Sequence, residues 1–204
     1  MKMKCVMLAV LLFSAGVAMA AADPEATMKP IIDQLTGIIQ SSDMKGAEHK
    51  VERRAKIMEE VKKGFDFREM SKRVLGKSWR GLDEKERTHF VGLMTKLLEN
   101  VYIGRFEDEE TQAGKYTVKY NGERVSGDRA QVSTEVNDGQ KSFPIYYILS
   151  KRSGTWMVYD VNIEGVSLIR NYQEQFRSIL RTDEYSGLVK TIEEKIASFE
   201  EGKK

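Results

Sequence analysis

The spacing of apolar residues changes period twice along this chain, and that limits the folds open to it. Up to about Gly114 the apolar residues recur three to four apart. From Tyr116 to Ile163 they alternate with polar ones, and from Val166 the helical spacing returns. A first amphipathic helix carries Met28, Ile31, Ile32, Leu35, Ile38 and Ile39 on one face, behind Asp23-Pro24 as N-cap and first-turn proline. A charge-dense second helix is predicted over about 47–63, with Val51, Ala55, Met58 and Val61 on one side. A third is already under way at Phe67 and ends near Gly81. Asp83 and Glu86 then have the spacing of a capping box, opening a fourth helix with Phe90, Leu93, Met94, Leu97, Leu98, Val101 and Tyr102 inward.

Four strands follow. Tyr116, Val118 and Tyr120 alternate with Thr117 and Lys119; Ala130, Val132, Thr134 and Val136 alternate with Gln131, Ser133 and Glu135. Asp138-Gly139 turns the chain into SFPIYYILSK, and Ser153-Gly154 turns it into TWMVYDVNIE. Two more helices are marked by Val166, Ile169, Tyr172, Phe176, Ile179 and Leu180, then by Leu188, Ile192, Ile196 and Phe199. The fold class is α+β, with helices packed on a four-stranded antiparallel sheet. The last two strands are apolar on both faces: Ile145, Tyr147 and Leu149 beside Tyr146 and Ile148, then Trp156 and Val158 beside Met157, Tyr159, Val161 and Ile163. A sheet wetted on one side would not read this way. Either helices cover both faces, or a curved sheet and its helices enclose an apolar cavity.

The first twenty residues, MKMKCVMLAVLLFSAGVAMA, have the form of a cleaved export signal. Lys2 and Lys4 precede an apolar run too short to cross a bilayer, and Ala18-Met19-Ala20 supplies small residues at a cleavage site. Residues 1–20 are thus expected to be removed and residues 21–204 to form one domain in the periplasm. The only cysteine, Cys5, leaves with the signal, and with it go disulfides, zinc–thiolate sites and cysteine nucleophiles. Two of the 33 basic residues lie in the signal and none of the 31 acidic ones does, so the remainder carries equal numbers of each. Without a basic excess or stripe, no nucleic-acid partner is expected.

Motifs of catalysis are sparse. Leu75-Gly76-Lys77-Ser78 resembles the end of a phosphate-binding loop, but Ser71 stands where the earlier glycine is required, and the run lies in a helix rather than after a strand. His49 sits among Glu48, Lys50 and Glu52, and His89 beside Phe90, neither with a nucleophile in sequence view. Nucleophile-elbow, zinc-protease and calcium-loop patterns do not occur. Glu107-Asp108-Glu109-Glu110 reads as a solvated acidic loop. No enzyme, metal or cofactor is expected.

The segment from Trp156 to Leu180, WMVYDVNIEGVSLIRNYQEQFRSIL, resembles the signature of the periplasmic phospholipid-binding proteins of the Mla lipid-transport system, the toluene-tolerance family. Tyr159-Asp160, Glu164-Gly165-Val166-Ser167, Ile169, Gln173, Phe176 and Ile179-Leu180 match its strand, turn and helix. Leu75-Gly76 with Trp79, Arg87 before Phe90, and Leu97-Leu98 with Tyr102 match its helical half. The resemblance runs from about Phe65 to Phe199. Pro30 and the charged C-terminal KTIEEKIASFEEGKK depart from it. It implies helices on a curved sheet enclosing an apolar lipid pocket, with phospholipid as cargo. It also implies two docking partners: an outer-membrane lipoprotein–porin complex, and an inner-membrane ABC transporter with its periplasmic lipid-binding subunit.

A pocket of that kind is expected to draw on both halves of the chain. The candidates are Met70, Val74, Trp79, Leu93, Met94 and Leu97 from the helices, and Tyr116, Val118, Val132, Ile145, Tyr147, Val158 and Val161 from the sheet. Cavity walls and ordinary cores share composition, so each residue fits either role. The other function class compatible with the sequence is a periplasmic chaperone or interaction module with an apolar groove.

Overall fold

The computed structural model describes residues 23–106 and 115–202. The expected signal segment and the acidic run Glu107–Glu110 lie outside the described residues. Helices α1 (Pro24–Gln40), α2 (Lys50–Gly64), α3 (Phe67–Leu75) and α4 (Glu84–Tyr102) come first. Strands β1 (Thr117–Ser126), β2 (Arg129–Asn137), β3 (Ser142–Arg152), β4 (Thr155–Ile163) and β5 (Val166–Ser167) form one antiparallel sheet in sequence order. Helices α5 (Leu168–Thr182) and α6 (Glu184–Glu201) close the described chain.

Local chemistry sets several boundaries. The capping box at α4 forms as read: Asp83 Oδ1 accepts from the Glu86 N–H at 2.8 Å, and Glu86 Oε2 accepts from the Asp83 N–H at 2.8 Å. Asp66 caps α3 by accepting from the Glu69 N–H at 2.8 Å. The third helix stops as α-helix at Leu75, because Gly76 adopts φ +56°, and continues to Gly81 as a 3-10 turn. The Gly-Lys-Ser run thus lies in a turn that leaves a helix, where no phosphate cradle forms. The second helix starts at Lys50, three residues later than its charge pattern suggested.

The sheet has five strands where four were expected. Glu164 and Gly165 both hold left-handed backbone, φ +49° and +89°, and this two-residue turn folds Val166 and Ser167 back onto Ile163 and Asn162. The helical spacing that included Val166 therefore starts one turn too early. β1 also runs past Gly122, because a bulge between Tyr120 and Glu123, with Gly122 at φ +93°, absorbs one residue and restores pairing.

A second bulge decides which β4 residues share a face. The β3–β4 register jumps between Ile148 and Leu149, which pair with Asp160 and Val158, leaving Tyr159 as the extra residue. Val158 then faces a cluster with Met28, Ile32, Val132, Tyr147, Leu149, Trp156 and Val161, under α1. Tyr159 and Ile148 face the opposite side, packing with α3, α4, α5 and α6. Helices therefore lie against both faces of β3 and β4.

Candidate functional site

Helix α1 lies across the first of these faces and is tied to it at both ends. The backbone N–H of Glu25 donates to Glu123 Oε2 at 2.6 Å, placing a carboxylate at the helix N-terminus, where the dipole favours it. At the other end Gln40 Nε2 donates to the Tyr116 carbonyl at 2.8 Å. Between them Met28 and Ile32 are buried against the sheet, and the Lys29 ammonium sits 5.0 Å from the Tyr120 ring centre.

The thirteen candidate residues are divided by the structure. Val132, Tyr147, Val158 and Val161 are buried on the α1 side of the sheet, with Val118 and Ile145 packed at its margin. Met70, Val74, Trp79, Met94 and Leu97 belong to the helical cluster around Phe90, Tyr172, Phe176, Leu188 and Ile192, and Leu93 packs at its edge. Tyr116 precedes β1, half-buried, with its carbonyl holding Gln40. The two groups meet through Phe65 and Tyr102, which pack against both clusters. Sequence reading passed over Phe65 because it sits between two helices. Its bridge to Val158 and the Asp66 N–H donation to the Val158 carbonyl at 2.8 Å depend on a strand about ninety residues away.

Polar groups inside the sheet cluster are few. Thr134 is buried and donates to the Ile145 carbonyl at 3.1 Å. Burial pushes the Tyr147 phenol up to about 12. Tyr120 is also raised, first by burial and then by the nearby Asp33 carboxylate. Neutral phenols suit an apolar lining, since neither places a charge in it at ordinary pH.

The Glu-Gly-Val-Ser block is a structural joint. Ser167 Oγ accepts from the Arg170 N–H at 3.1 Å, capping α5, and donates to Asp160 Oδ2 at 2.7 Å. Asp160 Oδ1 accepts from the Ile169 N–H at 3.1 Å, so a strand carboxylate and a turn hydroxyl together satisfy the helix start. Trp79 is buried between two guanidinium groups, Arg68 at 5.5 Å and Arg87 at 5.6 Å from its ring, and Arg87 Nε donates to its carbonyl at 3.3 Å.

Two open grooves lie elsewhere. One, of about 830 Å³, runs between α2 and α4. The other, of about 550 Å³, crosses the polar side of the sheet past Gln131, Tyr146 and Asn162. Neither has the shape of the enclosed apolar pocket that the resemblance implies. His49 precedes α2 within 3.9 Å of Glu48 and Glu52, and His89 lies 3.7 Å from Glu193 on α6; His49 is part-exposed, His89 exposed, and neither adjoins a nucleophile. Among the described residues no group of three or more His, Cys, Asp or Glu side chains is placed to hold a metal ion, and no helix is long and apolar enough to cross a membrane.

A solved structure of a phospholipid-binding protein from Ralstonia solanacearum, in complex with a phospholipid, superposes with a TM-score of 0.74 at 24% identity. The match covers 87% of this chain and 99% of that one, which establishes a shared fold. No curated protein matches the sequence. The profile of the MlaC protein family matches residues 29–194, from the first turns of α1 into α6, and the chain belongs to that family.

Proposed function

We propose that the chain is a periplasmic phospholipid carrier that moves lipid between an outer-membrane lipoprotein–porin complex and an inner-membrane ABC transporter with its lipid-binding subunit. Membership of the MlaC family over 29–194 carries the reading. A shared fold with a protein described as phospholipid-binding and solved with a phospholipid supports it. The buried apolar sheet face beneath α1, edged by Val118, Ile145 and Ile163, supplies a surface of the required chemistry.

The mechanism follows from the energy of acyl-chain burial. Two chains hold about thirty methylenes, and at ~0.8 kcal/mol each their gross burial is of order 20 kcal/mol. Release into water would be very slow. A bilayer or a partner's apolar channel offers the chains nearly the same environment, so exchange at a docked contact is close to balanced. Net direction then comes from the partners. The carrier itself needs to bind, shield and release, without a reaction step.

The test is native mass spectrometry of protein purified from the envelope of an expressing bacterium, with lipid extraction in parallel. A carrier emerges with phospholipid bound in a fixed ratio. A spectrum of bare protein and an empty extract would overturn the reading in favour of an interaction module. Localisation is checked in the same cells by osmotic-shock release and by N-terminal sequencing, which should begin at Ala21.

A further inference from the structure

Helices α2 and α4 face one another across the 830 Å³ groove, and three small residues are among those that line it. Ala55 and Thr95 lie along it with Met58, and a Cβ built on Gly92 would meet nothing within 4 Å. Val51 opens into it while 81% exposed, the most exposed large apolar side chain among the described residues. A solvated helix face has no need of that arrangement, because small residues and an open valine leave apolar surface wet. Arg54 crosses the groove base to pair with Glu99 and donates to Asn100 Oδ1 at 2.6 Å, which fixes the distance between the two helices.

The dimensions suit one side of a helix. Lys50 and Lys62 both line the groove, so α2 walls it over about 18 Å at 1.5 Å per residue. Dividing volume by length gives a cross-section of roughly 45 Å², about half that of an α-helix with side chains, whose diameter is ~10–12 Å. A helix laid in it therefore seats one side and keeps the other exposed. The rim selects the charge. The lining carries four cations, Lys50, Arg54, Lys62 and Lys96, against two carboxylates: Glu99 pairs with Arg54 and lies 3.8 Å from Lys96, and Glu200 lies 3.8 Å from Lys96. Among the described residues Lys62 has no acidic partner within ion-pair distance.

We propose that the α2–α4 groove receives an amphipathic helix of a partner protein, with small apolar residues on its buried face and acidic residues along its flanks. The groove shares no residue with the thirteen candidate lipid contacts, so docking here leaves the sheet face under α1 free to load and unload. Steering by the lysine rim speeds encounter and weakens with salt.

The test uses the full mature protein and a labelled model peptide of about twelve residues, an Ala/Leu stripe flanked by Glu. Its partners are the same peptide with Lys for Glu, and palmitate. Fluorescence anisotropy should give the acidic peptide a Kd at least tenfold below that of the basic one, with backbone NMR shifts confined to Val51, Ala55 and Gly92 and their neighbours. Lys62→Glu should raise that Kd about fivefold. Ala55→Trp should abolish binding by filling the groove while leaving the melting temperature and bound phospholipid unchanged. Equal affinity for the two peptides, or binding that survives Ala55→Trp, overturns the proposal. Shifts at the same amides caused by palmitate alone would reassign the groove to a single-chain amphiphile. Bound phospholipid is read separately, so failure here and failure of the carrier reading are distinguishable.

Discussion

Asp160 Oδ2 accepts the Ser167 hydroxyl at 2.7 Å, and this bond joins the last full strand to the helix that begins beyond the turn. Both residues also take a backbone N–H of α5, Ile169 to Asp160 and Arg170 to Ser167. Asp160→Ala removes a charged acceptor from two donors and should cost about 2 kcal/mol. Ser167→Ala loses one cap and should cost about 1 kcal/mol. The double variant should cost less than the two together, since the residues share a bond. Urea denaturation of the four proteins checks this, and strict additivity would show that the pair is not coupled.

The adjoining turn stores strain that a substitution can relieve. Glu164 holds φ +49° ahead of Gly165 at +89°, a pair of conformations for which Asn-Gly is the favoured sequence. Glu164→Asn should therefore raise stability by about 0.5–1 kcal/mol, and Gly165→Val should lower it by more than ~1 kcal/mol. Thermal melts of both variants give the signs directly.

The same turn shows what the sequence made legible. Helices and strands were readable because apolar spacing reports which face is buried, and the α4 capping box because its partners are three residues apart. The fifth strand was hidden: Val166 fits the helical spacing of α5 as well as it fits a strand, and only the left-handed pair before it decides. The grouping of candidate site residues was hidden for a related reason. Periodicity showed that Met94 and Tyr147 are each buried, but the bulge at Tyr159, which brings Val158 and Val161 to the same side although they are three apart, leaves no mark in a pattern of apolar letters. Phe65 and Tyr102, which join the two clusters, depend on pairing distant in sequence.

One glycine should reverse an ordinary preference. Gly187 lies within α6, where alanine usually stabilises a helix by ~1 kcal/mol. A Cβ there would sit 2.3 Å from the Cβ of Asp183, an atom fixed by its backbone. Gly187→Ala is expected to lower the melting temperature, and an increase would mean that the α5–α6 joint moves freely to accept it.

Alkaline stability should follow the buried phenols. Tyr147 titrates at about 12 in the folded chain, against ~10 unfolded, because burial disfavours the phenolate. Tyr120 and Tyr172 are raised by the same cause. A folded pKa above the unfolded one means that the folded state holds the proton longer. The contribution is therefore intact below pH ~10 and lost as pH rises from there through 12. Tyr147→Phe should lessen the fall in stability across that window without changing its sign, since Tyr116, Tyr120, Tyr172 and Tyr185 are raised too. Unfolding free energy against pH, with tyrosinate absorbance alongside, measures both.

Which cluster yields to lipid is open to a comparison of charged substitutions. Ile145 and Val118 are partly exposed at the margin of the sheet cluster, so a glutamate there can reach water at a cost of about 1–2 kcal/mol. Met94 is 1% exposed in the helical cluster, and Met94→Glu buries a charge with no partner, which should cost more than ~4 kcal/mol. A carrier that holds acyl chains on the sheet face then behaves as follows. Ile145→Glu and Val118→Glu melt cooperatively but emerge with several-fold less phospholipid, whereas Met94→Glu fails to fold and the conservative Met94→Leu folds and keeps its lipid. Lipid-to-protein ratio and melting temperature on the same preparations decide it. If Met94→Leu lost lipid while Ile145→Glu retained it, the acyl chains would lie among the helices, and the sheet face beneath α1 would be core alone.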